Sequence, residues 1–296
     1  MYKNYKFDVV TEASVPGAKV QVVTFPLLRG SDDVNTAEHL YFANEAGMKL
    51  KMVKIELKDS SVRVEPGALY HMCGDLEMVT STGGGILKGL ARKMTSGESF
   101  FVNEIKGTGT IYLEPTFGHF LLHEIKKDGK GVICDKGMFF AGTNGLDIGA
   151  AIQKNISAGL FGGEGLFQTK VTAGEAGGIA ILFSPVPVEE IQEVELKNEK
   201  LSVDGNFALM RTDGVNFRAE KSSKSWIATS VSGEGLLQTF EGEGTVWIAP
   251  TQVVYERMAY GDFNALQGAP GSSNNKATGK KGKQNMKALM NLIGRD

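Results

Sequence analysis

The feature that most constrains the fold is a pattern that occurs three times along the chain, about 70 residues apart. In each copy a Gly-Glu pair precedes a short apolar strand, a turn containing glycine follows, and a second alternating strand ends at a proline. Apolar runs separated by glycine clusters are typical of β-hairpins. Proline fits a strand end because it has no N–H to donate to the ladder. The three copies lie at residues 96–115, 162–185 and 232–250.

A second set of markers keeps the same period. Gly67, Gly137 and Gly205 each precede a strand of bulky apolar residues, and they are 70 and 68 residues apart. An alternating stretch comes before each of them, so one unit contains about four strands. Units of this size are too small to bury both faces of their own strands, and we expect them to form one pseudo-threefold body. The predicted units are residues 51–118, 119–187 and 188–254.

The remaining segments flank this repeat domain, which we place at residues 51–266. Residues 1–50 contain strand-like stretches at 20–25 and 40–43, and we expect them to add strands or a covering segment. Residues 267–283 are rich in glycine, serine, asparagine and lysine, which predicts a flexible linker. Residues 284–296 carry apolar side chains at helical spacing and are predicted to form an amphipathic helix. Few other helices are expected, and all of them short.

Composition excludes several classes of protein. The net charge is −2, and six of the 32 basic residues but only one of the 34 acidic residues lie in 276–296, which leaves the rest of the chain at −7. An acidic body disfavours nucleic-acid binding, except through the lysine-rich tail. The two cysteines have no disulfide or zinc spacing. No apolar run approaches the ~20 residues that span a bilayer. These features predict a cytoplasmic protein.

Three segments resemble a known family: GALYHMCGDLEM at 67–78, GGGILKGLARKMTSGESFF at 83–101 and GLFGGEGLFQTKV at 159–171. They are similar to the proteins named for altered inheritance of mitochondria, family 24, which have a fold like that of the tryptophan RNA-binding attenuator protein. The resemblance implies an all-β fold, arranged as a sandwich or a double-stranded β-helix. It implies no catalytic residues, and no cofactor is expected.

Two kinds of metal site were considered from the sequence. The repeated Glu98, Glu164 and Glu234 are equivalent carboxylates that pseudosymmetry could bring together around a cation; the alternative, which we favour, is that each accepts hydrogen bonds from its own turn. His71 is a candidate ligand, although no third ligand is evident beside it and Cys73. His119 and His123 lie on an alternating strand, which sets them ~13 Å apart and excludes chelation by that pair.

Apolar side chains at helical spacing mark two candidate interaction segments. The residues in question are Ile86, Leu87, Leu90, Met94, Met286, Leu289, Met290 and Ile293. No catalytic motif is present. We therefore expect a non-enzymatic β scaffold that forms homo-oligomers and binds another protein or a membrane surface through these segments. The alternative is a β protein that binds a small ligand or a metal, with or without catalytic activity.

Overall fold

A computed structural model describes residues 6–80, 102–153, 166–204, 207–221 and 236–259. These residues form mostly strands, with two short α-helices and one 3₁₀ turn, which confirms the predicted all-β class. The elements in chain order are β1 (Asp8–Val15), β2 (Ala18–Thr24), α1 (Val34–Glu45), β3 (Lys51–Val64), β4 (Leu69–Thr80), β5 (Asn103–Leu113), β6 (His119–Lys126), β7 (Val132–Cys134), β8 (Phe139–Thr143), β9 (Leu146–Gln153), β10 (Leu166–Ala173), β11 (Gly177–Ser184), the 3₁₀ turn Val188–Glu190, β12 (Gln192–Asp204), β13 (Ala208–Thr212), β14 (Asn216–Lys221), β15 (Leu236–Ile248) and α2 (Gln252–Ala259).

The first sheet is antiparallel and has the order β1-β2-β3-β8-β11-β6, while β5 pairs with both β3 and β4. The strand β3 organises this sheet. From Val53 onward its first half alternates, so that Val53, Ile55 and Leu57 are buried and the lysine and glutamate between them are less so. This half pairs with β2, and the last three residues of β3 pair with β8.

The second sheet has the order β12-β15-β13-β7-β10-β9, with β14 also paired to β15. The middle of the chain links the two sheets, because β6, β8 and β11 belong to the first sheet whereas β7, β9 and β10 belong to the second. The chain therefore crosses from one sheet to the other several times between residues 119 and 184, which holds the two sheets together through covalent connections.

The strand β11 lies between two parts of the core. Ile179 and Ile181 belong to one apolar cluster, whereas Ala180 and Leu182 belong to another. Successive side chains of a strand point to opposite faces, so β11 is covered on both sides. This explains why its sequence, GGIAILFS, is a continuous small and apolar run rather than an alternating one.

Two long strands change direction at similar points. The pairing of β3 shifts register between Leu57 and Ser60, where Asp59 has φ +46°, and the pairing of β12 shifts between Lys197 and Glu199, where Asn198 has φ +61°. At the first of these bends a glycine is required opposite: a Cβ on Gly107 would lie 2.1 Å from the carbonyl oxygen of Asp75.

The equivalence of the three repeats and the domain boundaries remain predictions. The three Gly-Glu pairs lie outside the described residues, as do the predicted linker and terminal helix. Of the terminal prolines of the three copies, Pro185 directly follows the end of β11, and Pro115 and Pro250 come two residues after the ends of β5 and β15.

The stretch at 40–43 was wrongly predicted as a strand, because it forms part of helix α1. Asp33 caps this helix: its carboxylate accepts a hydrogen bond from the Thr36 amide at 2.9 Å. No residue of α1 is buried, and Tyr41 and Phe42 are each 61% exposed. Consecutive apolar residues are typical of a buried strand, but here they lie on the exposed surface of a helix. The apolar composition of this stretch therefore gave the wrong secondary structure. The stretch at 20–25 does fall in a strand, β2.

Candidate functional site

The outer edge of β4 is a long, largely exposed edge of the first sheet. Among the described residues β4 pairs on one side only, with β5 along its whole length. Its side chains include Tyr70, which is 57% exposed, as well as Cys73, Met78 and Val79, which are also exposed. A long edge strand with apolar side chains presents unpaired backbone groups to another strand. This edge is therefore the first candidate surface.

Two strand pairings inside the molecule are examples of a short stretch of one strand pairing with the edge of another. The end of β3 pairs with β8, joining Val62 to Thr143 and Val64 to Ala141. In the same way β7 pairs with β13, joining Val132 to Thr212 and Cys134 to Met210; each pairing spans three residues and is antiparallel.

Under the predicted equivalence of the repeats, the corresponding segments are residues 201–203, at the end of β12, and residues 71–73, at the start of β4. Within the described segments β12 pairs with β15 alone, so both segments have one side without a strand neighbour.

The second candidate is a cleft between β1 and β6, the two ends of the first sheet's strand order. Its volume is about 360 Å³, which falls in the range typical of small-ligand pockets. Apolar and polar groups contribute equally to its wall, and the charged side chains lie at one end. The lining residues are Val10, Thr11, Val22, Lys51, His119, Phe120, Leu121, Leu122, Val188 and Glu189.

The charged end of the cleft is formed where β3 and β6 begin. Lys51 Nζ donates to the carbonyl oxygens of Gly118 at 3.2 Å and Lys49 at 3.4 Å. Burial lowers the pKa of Lys51, and the charge of Glu189 partly offsets this. Burial, and then the charge of Lys51, lower the pKa of His119, which leaves its ring neutral at pH 7. The end therefore holds one cation, one neutral imidazole and one carboxylate.

Helix α2 fixes the rim of this cleft. The carboxylate of Glu190 accepts hydrogen bonds from the hydroxyl of Thr251 and from that of Tyr255, the latter at 2.7 Å. The hydrogen bond from Thr251 is the main reason why the pKa of Glu190 is lowered. Because Glu190 follows Glu189 in the 3₁₀ turn, these contacts also position the neighbouring carboxylate at the cleft.

A wider recess of about 560 Å³ lies at the bend of β3, lined by acidic side chains. Two of the acidic groups there have partners: Lys106 pairs with Glu77 at 3.4 Å, and Ser61 donates to Glu104 at 2.8 Å. This recess is a solvated polar face, and no function is assigned to it.

The second sheet contains a buried polar network instead of a cleft. Arg211 on β13 is 1% exposed and donates to Gln168 at 2.8 Å and to the Val215 carbonyl at 3.2 Å. Gln168 in turn donates to Asp135 at 2.7 Å. Burial lowers the pKa of Arg211 to about 10 and raises that of Asp135. Because each of these groups has a partner inside the protein, the network is structural.

The sequence-predicted site residues are mostly outside the described part of the chain. These are Glu98, Glu164, Glu234, Ile86, Leu87, Leu90, Met94, Met286, Leu289, Met290 and Ile293. Of the predicted metal ligands only His71 is described; it lies on β4 with its ring stacked on Tyr112, 4.6 Å between centroids. In the described segments no three His, Cys, Asp or Glu side chains are placed to share a metal ion.

The two histidines of the HxxxH spacing lie on a strand, β6, as predicted. His119 lines the cleft. The ring of His123 instead packs against the ring of Trp247 in a T-shaped arrangement, with 5.4 Å between centroids. The cleft is not evident from local sequence, because Lys51, His119 and Glu189 are about 70 residues apart in the chain. Only the repeat period itself, which spaces these positions, could have drawn attention to them.

These observations define an all-β protein of two antiparallel sheets with an open sheet edge and a small cleft. A family model described as mitochondrial biogenesis AIM24 matches residues 42–251, and the chain belongs to this family. This confirms the resemblance seen in the sequence.

A crystal structure of protein SPYM3_0169 from Streptococcus pyogenes is similar in fold, with a TM-score of 0.51 and 23% sequence identity. The alignment covers 71% of this chain and 94% of that one. At this identity the likeness concerns the fold alone. No curated protein matches the chain. Among the described residues, no helix has the length and apolar character needed to cross a membrane.

Proposed function

We propose that this protein is a non-enzymatic β scaffold that assembles with further copies of itself through the open edge of β4. The observation that carries this proposal is the 12-residue length of β4, which pairs only with β5 in the described structure and exposes Tyr70, Met78 and Val79. Native proteins commonly protect such an edge by shortening it, charging it or covering it. Pairing with a second chain would cover it.

The partner strand in the second copy is β12. Inside the molecule the end of one long strand twice pairs with a short stretch of another, at Val62–Val64 with β8 and at Val132–Cys134 with β13. The next pairing of this kind joins residues 201–203 to residues 71–73. Because these segments do not pair within the described chain, they are available to two different copies. The resulting contact is head-to-tail, since each copy uses a different strand on either side.

The register of this contact follows from the internal examples. Thr143 lies opposite Val62, and Thr212 lies opposite Val132; by the same alignment Cys73 of one copy lies opposite Leu201 of the next. Directly opposed residues in antiparallel strands have Cβ atoms about 5 Å apart. Cysteines at these two positions are thus close enough to form a disulfide.

The native Cys73 makes this testable with one substitution. The variant Leu201→Cys, mixed at micromolar concentration under mild oxidation, is expected to give covalent oligomers on non-reducing gels. The matched control is Lys197→Cys, which places an exposed thiol on the same strand but outside this register. Adding Cys73→Ser to Leu201→Cys should abolish the product.

Sedimentation equilibrium tests the assembly itself. The wild-type chain is expected to exceed its monomer mass, and Tyr70→Lys, which places a charge on the edge, is expected to shift it to monomer. Val34→Lys on α1, another exposed position, should leave the mass unchanged. A wild-type chain that is monomeric up to tens of micromolar would overturn the proposal. A stable oligomer without cross-linking at 73 and 201 would overturn the proposed β4 to β12 register.

The non-enzymatic part of this proposal depends on the lack of catalytic motifs in the sequence. A cytoplasmic location and a protein or membrane partner for the tail stay predictions, and residues 260–296 are outside the described structure. Deleting residues 268–296 and measuring the same oligomeric mass separates the tail from the β4 edge: the proposal expects no change.

A further inference from the structure

We propose that the cleft between β1 and β6 binds a small amphipathic carboxylate, with its head group at Lys51 and its apolar chain along β6. This site is separate from the β4 edge and does not depend on self-association. It rests on three observations: a cavity of about 360 Å³, a stretch of its wall that is formed by valine, phenylalanine and leucine side chains, and a single lysine among the residues that line it.

The residues that line the cleft change from polar to apolar along β6. The lining passes from His119 at the charged end to Leu122, three residues and ~10 Å further along the strand. Val10 on β1 and Val188 in the 3₁₀ turn complete the apolar wall. A ligand that matches this wall has a polar head and an extended hydrocarbon chain, because a uniformly polar ligand would leave the valine and leucine side chains uncovered.

The sign of the head group follows from the hydrogen bonds of Lys51. An ammonium group has three N–H donors, and in the described part of the chain two of them reach the carbonyls of Lys49 and Gly118. The third is available to a ligand oxygen. The neutral imidazole of His119 can donate one further hydrogen bond. Two donors at the same end of the cleft suit a carboxylate head group.

Glu189 is the one group that opposes an anion here. Burial lowers the pKa of Lys51, and the charge of Glu189 partly offsets this by favouring the protonated form. It therefore keeps the cation charged within a partly buried site. A cationic head would instead lie beside the ammonium group of Lys51, which repels it.

Three eight-carbon probes separate these possibilities. Octanoate, octanol and octylamine share a chain but differ in head-group charge, and their dissociation constants can be measured by ligand-observed NMR titration on the full-length protein. Octanoate is expected to bind at least tenfold more tightly than octanol, and octylamine should bind most weakly. Hexanoate should bind less tightly than octanoate, by up to about fourfold for each methylene lost.

Substitutions then locate the site. Lys51→Met should weaken octanoate binding about tenfold or more and leave octanol binding unchanged, whereas Lys54→Met, on the same strand and outside the cleft, should change neither. Val10→Trp fills the cleft from an exposed position on the edge strand β1, so it should abolish binding of both while the protein stays folded, as circular dichroism can verify.

Tighter binding of octylamine than of octanoate would overturn the proposal. So would octanoate binding that survives Val10→Trp, because the ligand would then lie elsewhere. Sedimentation of Val10→Trp distinguishes this site from the proposed assembly: its oligomeric mass should equal that of the wild-type chain.

Discussion

The strands β4 and β13 pair in the same way and yet have opposite surroundings. His71 of β4 lies opposite Tyr112, and Met210 of β13 lies opposite Trp247; in both strands the register shifts just before this residue. All five residues of β13 are buried, whereas much of β4 is exposed. The difference is the next strand outward, because β7 covers β13 and no described strand covers β4.

The comparison shows that exposure is set by the neighbouring strand and not by the strand's own pairing. It also explains the chemistry of each region. A covered strand can carry a charge only if partners are buried with it, and Arg211 on β13 has Gln168 and the Val215 carbonyl. On an uncovered strand, water solvates the polar and charged groups. The unusual feature of such a strand is its exposed apolar side chains.

The largest expected effect concerns the two cysteines, one on each side of this comparison. Cys73 on β4 is exposed, whereas Cys134 on β7 is buried and its burial raises the pKa to about 12. At pH 8 a thiol reagent such as DTNB should modify one cysteine per chain quickly, and the second at least on the order of a thousandfold more slowly, since little thiolate is present.

The variant Cys73→Ser identifies the fast thiol by removing the fast phase. Urea concentrations that unfold the protein should expose the second. If copies associate through β4, the rate for Cys73 should also fall as protein concentration rises. Fast modification of both cysteines in the folded protein would show that Cys134 on β7 is not buried, in contradiction to the structure.

The next effect is on stability and concerns the buried network. Arg211→Met removes the charge while retaining a long side chain. The buried side-chain oxygen of Gln168 then loses its donor, and the buried carboxylate of Asp135 loses the nearby positive charge. A loss of about 3–5 kcal/mol in the free energy of unfolding is expected, from urea denaturation followed by fluorescence. Arg218→Met on β14 is the matched control: this exposed arginine pairs with Glu241 at 3.0 Å, and its loss should cost less than about 1 kcal/mol. Equal effects of the two variants would contradict the distinction between covered and open strands.

The parts of the fold that the sequence predicted are those governed by local pattern. Alternation in MVKIELK, residues 52–58, identified a strand, and proline marked the strand ends. Helix α1 was missed because the consecutive apolar residues at 40–43 hid its cap, although Asp33 followed by Thr36 was a usable signal. The cleft could not be found from the chain order, because strand pairing between β3 and its neighbours brings Lys51 close to His119. Which strand edges stay uncovered likewise depends on long-range pairing.

The smallest expected effect tests whether burial or ion pairing dominates in the covered region. Burial raises the pKa of Asp135 above its ordinary value of 3.8, with the hydrogen bond from Gln168 and the charge of Arg211 opposing this. A raised pKa in the folded state means that the folded protein holds this proton to a higher pH than the unfolded chain does. The contribution of Asp135 to stability therefore falls as the pH rises from the ordinary value through the raised one.

Asp135→Asn removes this titration while keeping a side-chain oxygen that can accept from Gln168. The free energy of unfolding of the wild-type chain, measured by urea denaturation between pH 4 and pH 7, should fall relative to that of the variant as the pH rises. The change should be smaller than the effect of Arg211→Met, because the arginine keeps its hydrogen bonds. If the wild-type chain instead gained stability relative to the variant over this range, attraction between Asp135 and Arg211 would outweigh burial, and the covered region would be held together by its charges.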